Sequence, residues 1–273
     1  MDISDIIKLG DLEGVIQWHN NGKDITYKGM DYAAFYGHLN IVKWLHENRT
    51  EGCTYWAIDY AARNNHLEVV KWLHENRRDG CTKMAIDYAA FYGHLSIVKF
   101  LHDNRTEGCT KYAMDGAAEN GHLNIVKWLH ENSTEGCTKY AIDLAAMNGH
   151  LDVIKFLHKN RTEGCTTNAM DIAAISGHFD IVKFLHDNRT EGCTHKAFDG
   201  IINPSLYLDF VTYYKQYKKI DSNNNTILKF LFENYKHLVT KVNDETYEKI
   251  LPFIQEDFRK KFEKIEKENI VRE

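Results

Sequence analysis

Residues 110–137 read TKYAMDGAAENGHLNIVKWLHENSTEGC, and near copies of this stretch lie on both sides of it. His38, His66, His94, His122, His150 and His178 follow one another at intervals of 28 residues, and Cys53, Cys81, Cys109, Cys137, Cys165 and Cys193 keep the same interval. A strict period of this length marks a solenoid, in which each unit buries its apolar face only by stacking on its neighbours. The remaining features of the chain are read against that stack.

Two helices fit inside the quoted unit. Thr110 is a suitable N-cap for a short first helix through Ala113, Met114, Ala117 and Ala118, whose small side chains allow a neighbouring unit to approach closely. Asn120-Gly121 ends it, because both residue types tolerate the left-handed conformation of a helix C-terminus. A second helix starts near His122 and runs to about Asn132. Its apolar residues Leu123, Ile125, Val126, Trp128 and Leu129 cover a broad face, opposite Asn124, Lys127 and Glu131.

The chain has 273 residues, long for one globular core, but a solenoid has no single core and grows by adding units. Net charge is a mild -5, and basic and acidic residues alternate along every repeat, so the electrostatic footprint of a nucleic-acid binder is absent. No apolar run approaches a membrane span, and the opening MDISDIIKLGDLEGV is acidic where a signal peptide is basic. The expectation is an intracellular, monomeric protein that contacts neither nucleic acid nor membrane.

The six cysteines occupy one slot per repeat. Stacked units sit roughly 8–10 Å apart, beyond the ~7 Å between Cα atoms that a disulfide allows. They read as reduced, small, buried residues. Asn48, Asn104, Asn160 and Asn188 each open an Asn-Arg-Thr triplet, with Asn132-Ser133-Thr134 as a variant. These triplets are copies of one ancestral loop and predict no glycan.

The core Ala117-Ala118-Glu119-Asn120-Gly121-His122-Leu123-Asn124-Ile125-Val126, repeated with small changes from Ala33 to Val182, resembles the ankyrin repeat. The resemblance covers residues 26–203. It implies an all-α solenoid of stacked helix-turn-helix units and a non-catalytic role in holding a protein partner. Two departures qualify it. The family unit is about 33 residues long, and the shortfall falls where the family builds a β-hairpin finger. Connections such as Arg161-Thr162-Glu163-Gly164-Cys165-Thr166 predict short loops with little or no β-hairpin. The family's Thr-Pro-Leu-His opening is also replaced by Ala-Met-Asp or Ala-Ile-Asp, as in Ala141-Ile142-Asp143. The bond that the family histidine supplies is therefore made by the aspartate or lost.

Three regions follow. Residues 1–25 form a degenerate N-terminal capping repeat, since Gly10, Leu12 and Val15 parallel Gly37, Leu39 and Val42 at an offset of 27. Residues 26–203 hold six repeats plus the first helix of a seventh, which Asn203-Pro204 interrupts. Residues 204–273 are a helical extension and cap. In it Ile227 to Asn234 parallels Ile181 to Asn188, which predicts a final second helix preceded by an inserted helix over about Ser205 to Lys219. Asn243 to Glu268 reads as one or two amphipathic helices with Tyr247, Ile250, Phe258, Phe262 and Ile265 as the buried stripe and a break at Pro252.

Repeated His and Cys invite a zinc or redox reading, but zinc ligands cluster at short spacings such as Cys-x-x-Cys, and none occurs. The Gly-His histidine reads as a bridge between neighbouring loops, as its counterpart in the resembled family does. Catalysis needs a unique constellation, whereas here Asp, His and Cys recur in every unit, and for His195 and His237, which lie outside the two repeated positions, the sequence points to no catalytic constellation. Neither cofactor nor metal is expected. Lys43, Lys71, Lys99, Lys127, Lys155 and Lys183 form a line, most of them followed four residues later by Glu or Asp, as a solvated face with local ion pairs.

Positions that differ between units are those that stacking does not fix, and the resemblance places such positions of the first helix on a concave binding face. They predict a partner site of Tyr27, Phe35, Tyr36, Tyr55, Arg63, Lys83, Phe91, Tyr92, Lys111, Glu119 and Met147, aromatic towards the N-terminus. An alternative is an adaptor whose C-terminal extension recruits a second machine. Some viral ankyrin proteins end in an F-box-like motif, which Ile250-Leu251-Pro252 echoes in part.

Overall fold

The computed structural model describes residues 2–202, 223–242 and 246–252. They fall into two compact units, Met1–Ala141 and Ile142–Glu273. The first contains α1 (Ile3–Lys8), α2 (Leu12–Asn20), α3 (Lys28–Phe35), α4 (Leu39–Asn48), α5 (Trp56–Arg63), α6 (Leu67–Asn76), α7 (Met84–Phe91), α8 (Leu95–Asn104), α9 (Lys111–Glu119) and α10 (Leu123–Asn132). The second holds α12 (Leu151–Asn160), α13 (Thr167–Ile175), α14 (Phe179–Asn188), α15 (Lys196–Ile202), α16 (Asn223–Asn234) and a 3₁₀ helix (Lys236–Lys241). Between them in sequence, α11 (Tyr140–Asn148) carries the division. No strand occurs among the described residues, so the repeats are joined by loops without a β-finger. None of the described helices is long and apolar enough to cross a membrane.

Several helix ends have a local cause. Thr110 caps α9 by accepting a bond on Oγ1 from Tyr112 N at 3.1 Å, and Thr166 caps α13 in the same way through Asn168 N. At the other end of α3, His38 N donates to Ala33 O and Gly37 N to Ala34 O, the paired bonds of a Schellman turn, with Gly37 at φ +79°. Asn65 takes the glycine's place after α5 and sits at φ +65°. A side chain in that region strains the backbone, less for Asn than for other residues. Asn65→Gly is therefore expected to raise the urea midpoint, by ~0.5–1 kcal/mol of stability; an unchanged midpoint would contradict this.

The core lies between the two helix layers. First helices pack in succession, α1 on α3, α3 on α5, α5 on α7 and α7 on α9, and second helices likewise, α2 on α4, α4 on α6 and α6 on α8. The Ala pairs of the first helices and residues such as Ile41, Val42 and Leu45 of the second are wholly buried. Alanine at the contact lets the backbones come close; the branched residues behind it fill the space between layers.

The aspartate at the opening of a first helix bonds to the threonine ahead of the next first helix. Asp59 accepts from Thr82 N at 2.9 Å and from Thr82 Oγ1 at 2.6 Å, and the same clamp joins Asp31 to Thr54, Asp87 to Thr110, Asp115 to Thr138, Asp143 to Thr166 and Asp171 to Thr194. Each therefore ties one repeat to the next at a buried point. Burial pushes the Asp31, Asp87 and Asp171 carboxyls above the usual range, against the pull of these hydrogen bonds, and takes Asp59 to about 6.

In the second unit α16 behaves as the second helix of a last repeat. It packs on α14 and α15, buries Ile227, Leu228 and Leu231, and closes with Asn234 Nδ2 on Phe230 O at 2.8 Å, as Asn188 closes α14 on Phe184 O. The expected helix over Ser205 to Lys219 lies outside the described residues, as do Phe258, Phe262 and Ile265. Residues 246–252 are helical, with Ile250 buried, but Tyr247 is exposed and does not join a buried stripe. The lysine row also differs from expectation at Lys71, which pairs back to Glu68 at 2.9 Å instead of forward to Glu75.

Candidate functional site: an aromatic face on the first helices

On α5, Ala57, Ile58, Asp59, Ala61 and Ala62 are buried, which leaves Trp56, Tyr60 and Arg63 along the opposite stripe. This i, i+4, i+7 spacing puts all three on one side of the helix. The same register gives Lys28, Tyr32 and Phe35 on α3 and Met84, Tyr88 and Phe91 on α7. Because the helices stack in parallel register, the stripes adjoin and form a face.

Between α3 and α5 this face opens into a cleft of about 600 Å³. Five of the sequence-predicted residues meet there, Tyr27, Phe35, Tyr36, Tyr55 and Arg63. Six more residues that the sequence reading did not select, Lys28, Asp31, Tyr32, Thr54, Trp56 and Tyr60, complete the lining. The rings brace one another edge to face: Phe35 to Tyr36 at 4.8 Å, Phe35 to Tyr60 at 5.5 Å and Trp56 to Tyr60 at 5.0 Å between centroids. Tyr27, Tyr32, Tyr55 and Trp56 nevertheless keep between 43% and 47% of their surface in solvent. Large apolar surface left exposed at adjoining positions marks an interaction site more than scattered single residues do.

Arg63 closes one side. Its guanidinium lies 5.2 Å from the Tyr92 ring and 5.8 Å from the Tyr88 ring, and its Nη2 donates to Tyr92 Oη at 2.9 Å. Tyr92 thus belongs to the face through Arg63, while Phe91 packs over Tyr112 at 6.1 Å and against Gly116 of the following helix. Lys83 and Lys111 are exposed but do not line the cleft. Two predicted residues are corrected: Glu119 and Met147 are buried, 5% and 8% exposed, and present nothing to a partner. The position after the Ala pair leans over the next first helix, as Phe35 does on Tyr60, so a side chain there can be covered by the neighbouring repeat.

The scaffold beneath holds this face in place. His66 Nε2 donates to Phe35 O at 3.1 Å, His94 Nε2 to Arg63 O at 3.0 Å, His38 Nε2 to Lys8 O and His178 Nε2 to Met147 O. Asn64 Nδ2 also donates to Phe35 O. Burial draws His66, His94 and His122 below the usual imidazole range, against the backbone hydrogen bonds that pull the other way, and the neutral ring still donates through its Nε2–H tautomer. The loops carry a further tie that the sequence reading missed. Arg49 pairs with Glu51, Arg77 with Asp79, Arg105 with Glu107, Arg161 with Glu163 and Arg189 with Glu191. Arg49 and Arg77 also reach back to His19 Nδ1 and His46 Nδ1 of the preceding unit. Gly52, at φ +71°, leaves room for the Arg77 guanidinium where a β-carbon would collide with it.

All six cysteines are free thiols. Burial pushes Cys53, Cys81 and Cys165 up to about 12, so each stays a protonated, unreactive group at neutral pH. Among the described residues, no group of three or more His, Cys, Asp or Glu converges as a metal site would require.

Family models match the chain in two stretches. A model described as "Ankyrin repeats (3 copies)" covers residues 114–197, and one described as "Ankyrin repeats (many copies)" covers residues 30–74 and 58–102. The chain belongs to the ankyrin-repeat family. No curated protein matches it. Ankyrin repeats are generally protein-protein interaction modules, and the family is typically non-catalytic.

Proposed function

We propose that this ankyrin-repeat chain is a non-catalytic scaffold that holds a protein partner on the aromatic face of its first helices, with the cleft between α3 and α5 as the main contact. The observation that carries the reading is the half-exposed cluster of Tyr32, Tyr55 and Trp56 around that cleft, beside Arg63. Trp, Tyr and Arg dominate the energetics of protein interfaces because they bury much area at low entropic cost. The braced rings are also held in position before any partner arrives, which lowers the ordering cost of binding.

The test is affinity capture from the native host with mass spectrometry, comparing the intact chain with the Tyr55→Ala, Trp56→Ala double variant. Both side chains are about half exposed, so circular dichroism should show the same helix content for the two proteins. Loss of two hot-spot residues, each worth about 2 kcal/mol or more, is expected to deplete the captured partner below detection. Recovery of the same proteins at the same level by both would show that the aromatic face is packing and that the partner sits elsewhere.

A further inference from the structure

Arg63 differs from every other half-buried arginine among the described residues. Arg49, Arg77, Arg105, Arg161 and Arg189 are each clasped by a carboxylate two residues further on. Arg63 has only neutral company: the Tyr92 hydroxyl, which takes bonds from Nε and Nη2, and the faces of Tyr88 and Tyr92. A guanidinium has five N–H donors in a fork that matches a carboxylate. Two of them converge here on a single phenol oxygen, which leaves three for a ligand.

The cleft beside it is electropositive although the chain as a whole carries -5. Lys28 and Arg63 are its cations and Asp31 is the one carboxylate of its lining. Asp31 is buried, accepts from Thr54 N and Thr54 Oγ1, both at 2.9 Å, and forms no ion pair with either cation. An aromatic wall with an unneutralised, stacked guanidinium at its edge complements a ligand that carries apolar groups and one negative charge. The volume of about 600 Å³ falls in the range of ~300–1,000 Å³ usual for ligand clefts, which suits a few side chains and not a folded element.

We infer that the cleft takes an extended peptide of the partner protein, with an aspartate or glutamate side chain on Arg63 and flanking aliphatic or proline side chains against Phe35, Trp56 and Tyr60. This rests on the scaffold reading above and adds to it the chemistry of what is bound. A polynucleotide would offer the same combination of negative charge and stacking surface, but its many phosphates would face a chain of net negative charge with two cations at the cleft.

The probe is a library of random twelve-residue peptides displayed on phage and selected on the full chain, followed by fluorescence anisotropy of the synthetic consensus. Selected peptides are expected to share one Asp or Glu flanked by apolar residues. Changing that acid to its amide should weaken binding to the intact chain about tenfold or more, and should change nothing for an Arg63→Gln variant, because the partner of the charge is already gone. Several results would overturn the inference. Selection of peptides without an acid, or equal loss on the intact chain and the Arg63→Gln variant, removes the carboxylate contact. If those peptides still lose binding to the Tyr55→Ala, Trp56→Ala variant, the scaffold reading survives. Peptides insensitive to both variants, or no selected peptide at all, place recognition away from the cleft. Displacement of the consensus by a ten-residue oligothymidylate assigns the cleft to nucleic acid instead.

Discussion

Asp59→Ala is expected to lower the stability of the chain towards urea by about 3 kcal/mol, since it removes two hydrogen bonds to a charged acceptor and leaves Thr82 N–H without a partner at a buried point. Asp59→Asn should stay within about 1 kcal/mol of the native chain, because the amide oxygen still accepts from Thr82 N and the hydroxyl can turn to accept from the amide nitrogen. The two variants also separate charge from geometry. The Asp59 carboxyl is raised to about 6 in the folded chain, above the ~3.9 of an unperturbed aspartate, so the folded state binds the proton more tightly than the unfolded state. Between pH 6 and pH 4 the native chain should therefore gain stability relative to Asp59→Asn as the pH falls, and lose that gain as the pH rises through 6. Urea titrations of the three proteins at pH 7 and pH 5 measure both effects. An Asp59→Ala midpoint equal to that of the native chain would mean that the clamp contributes nothing.

Ile97→Ala should cost ~2–5 kcal/mol, the range for truncating a fully buried branched side chain whose surroundings cannot collapse into the space. Ile97 lies on α8, which packs on α6 and α7, so the loss falls on a contact shared by two repeats. In a stack held by nearest-neighbour contacts the effect should remain local. Hydrogen exchange is expected to show lower protection in α6, α7 and α8 while α1 and α2 keep most of theirs. Lys99→Ala, an exposed change two positions along the same helix, should shift stability by no more than about 0.5 kcal/mol and serves as the control. A loss below about 1 kcal/mol for Ile97→Ala would contradict the tight packing described for the second-helix layer.

The fold was legible because its signals are local and repeated. Thr110, the Asn120-Gly121 turn and the apolar pattern from Leu123 to Leu129 each act within one helix, and the structure bears out both helices within a residue of their expected bounds. The exposed face was legible in part. Tyr27, Phe35, Tyr36, Tyr55 and Arg63 were found from variation between units, and Tyr32, Trp56 and Tyr60 lie in two further columns that also vary and could have been found by the same signal. Glu119 and Met147 vary too, yet are buried, since a free position in the period says nothing about how far a neighbouring repeat reaches over it. The arginine clasps were hidden for another reason. An Arg and a Glu two residues apart in a loop are unremarkable until the loop folds back on the preceding unit, as Arg77 does on His46.

The Asp-Thr clamps and the histidine bridges share a property of reach. Asp59 and Thr82 are 23 residues apart, and Phe35 and His66 are 31 apart. Excising 28 consecutive residues from inside the first unit would thus rejoin each surviving donor to an equivalent acceptor, and duplicating them would supply both halves of every new tie. Unequal recombination between such similar coding stretches can lengthen or shorten the array by whole units without breaking its internal bonds. The aromatic face can then be revised in heredity by gaining or losing a stripe of side chains at one step, a route of change closed to proteins whose contacts span their full length.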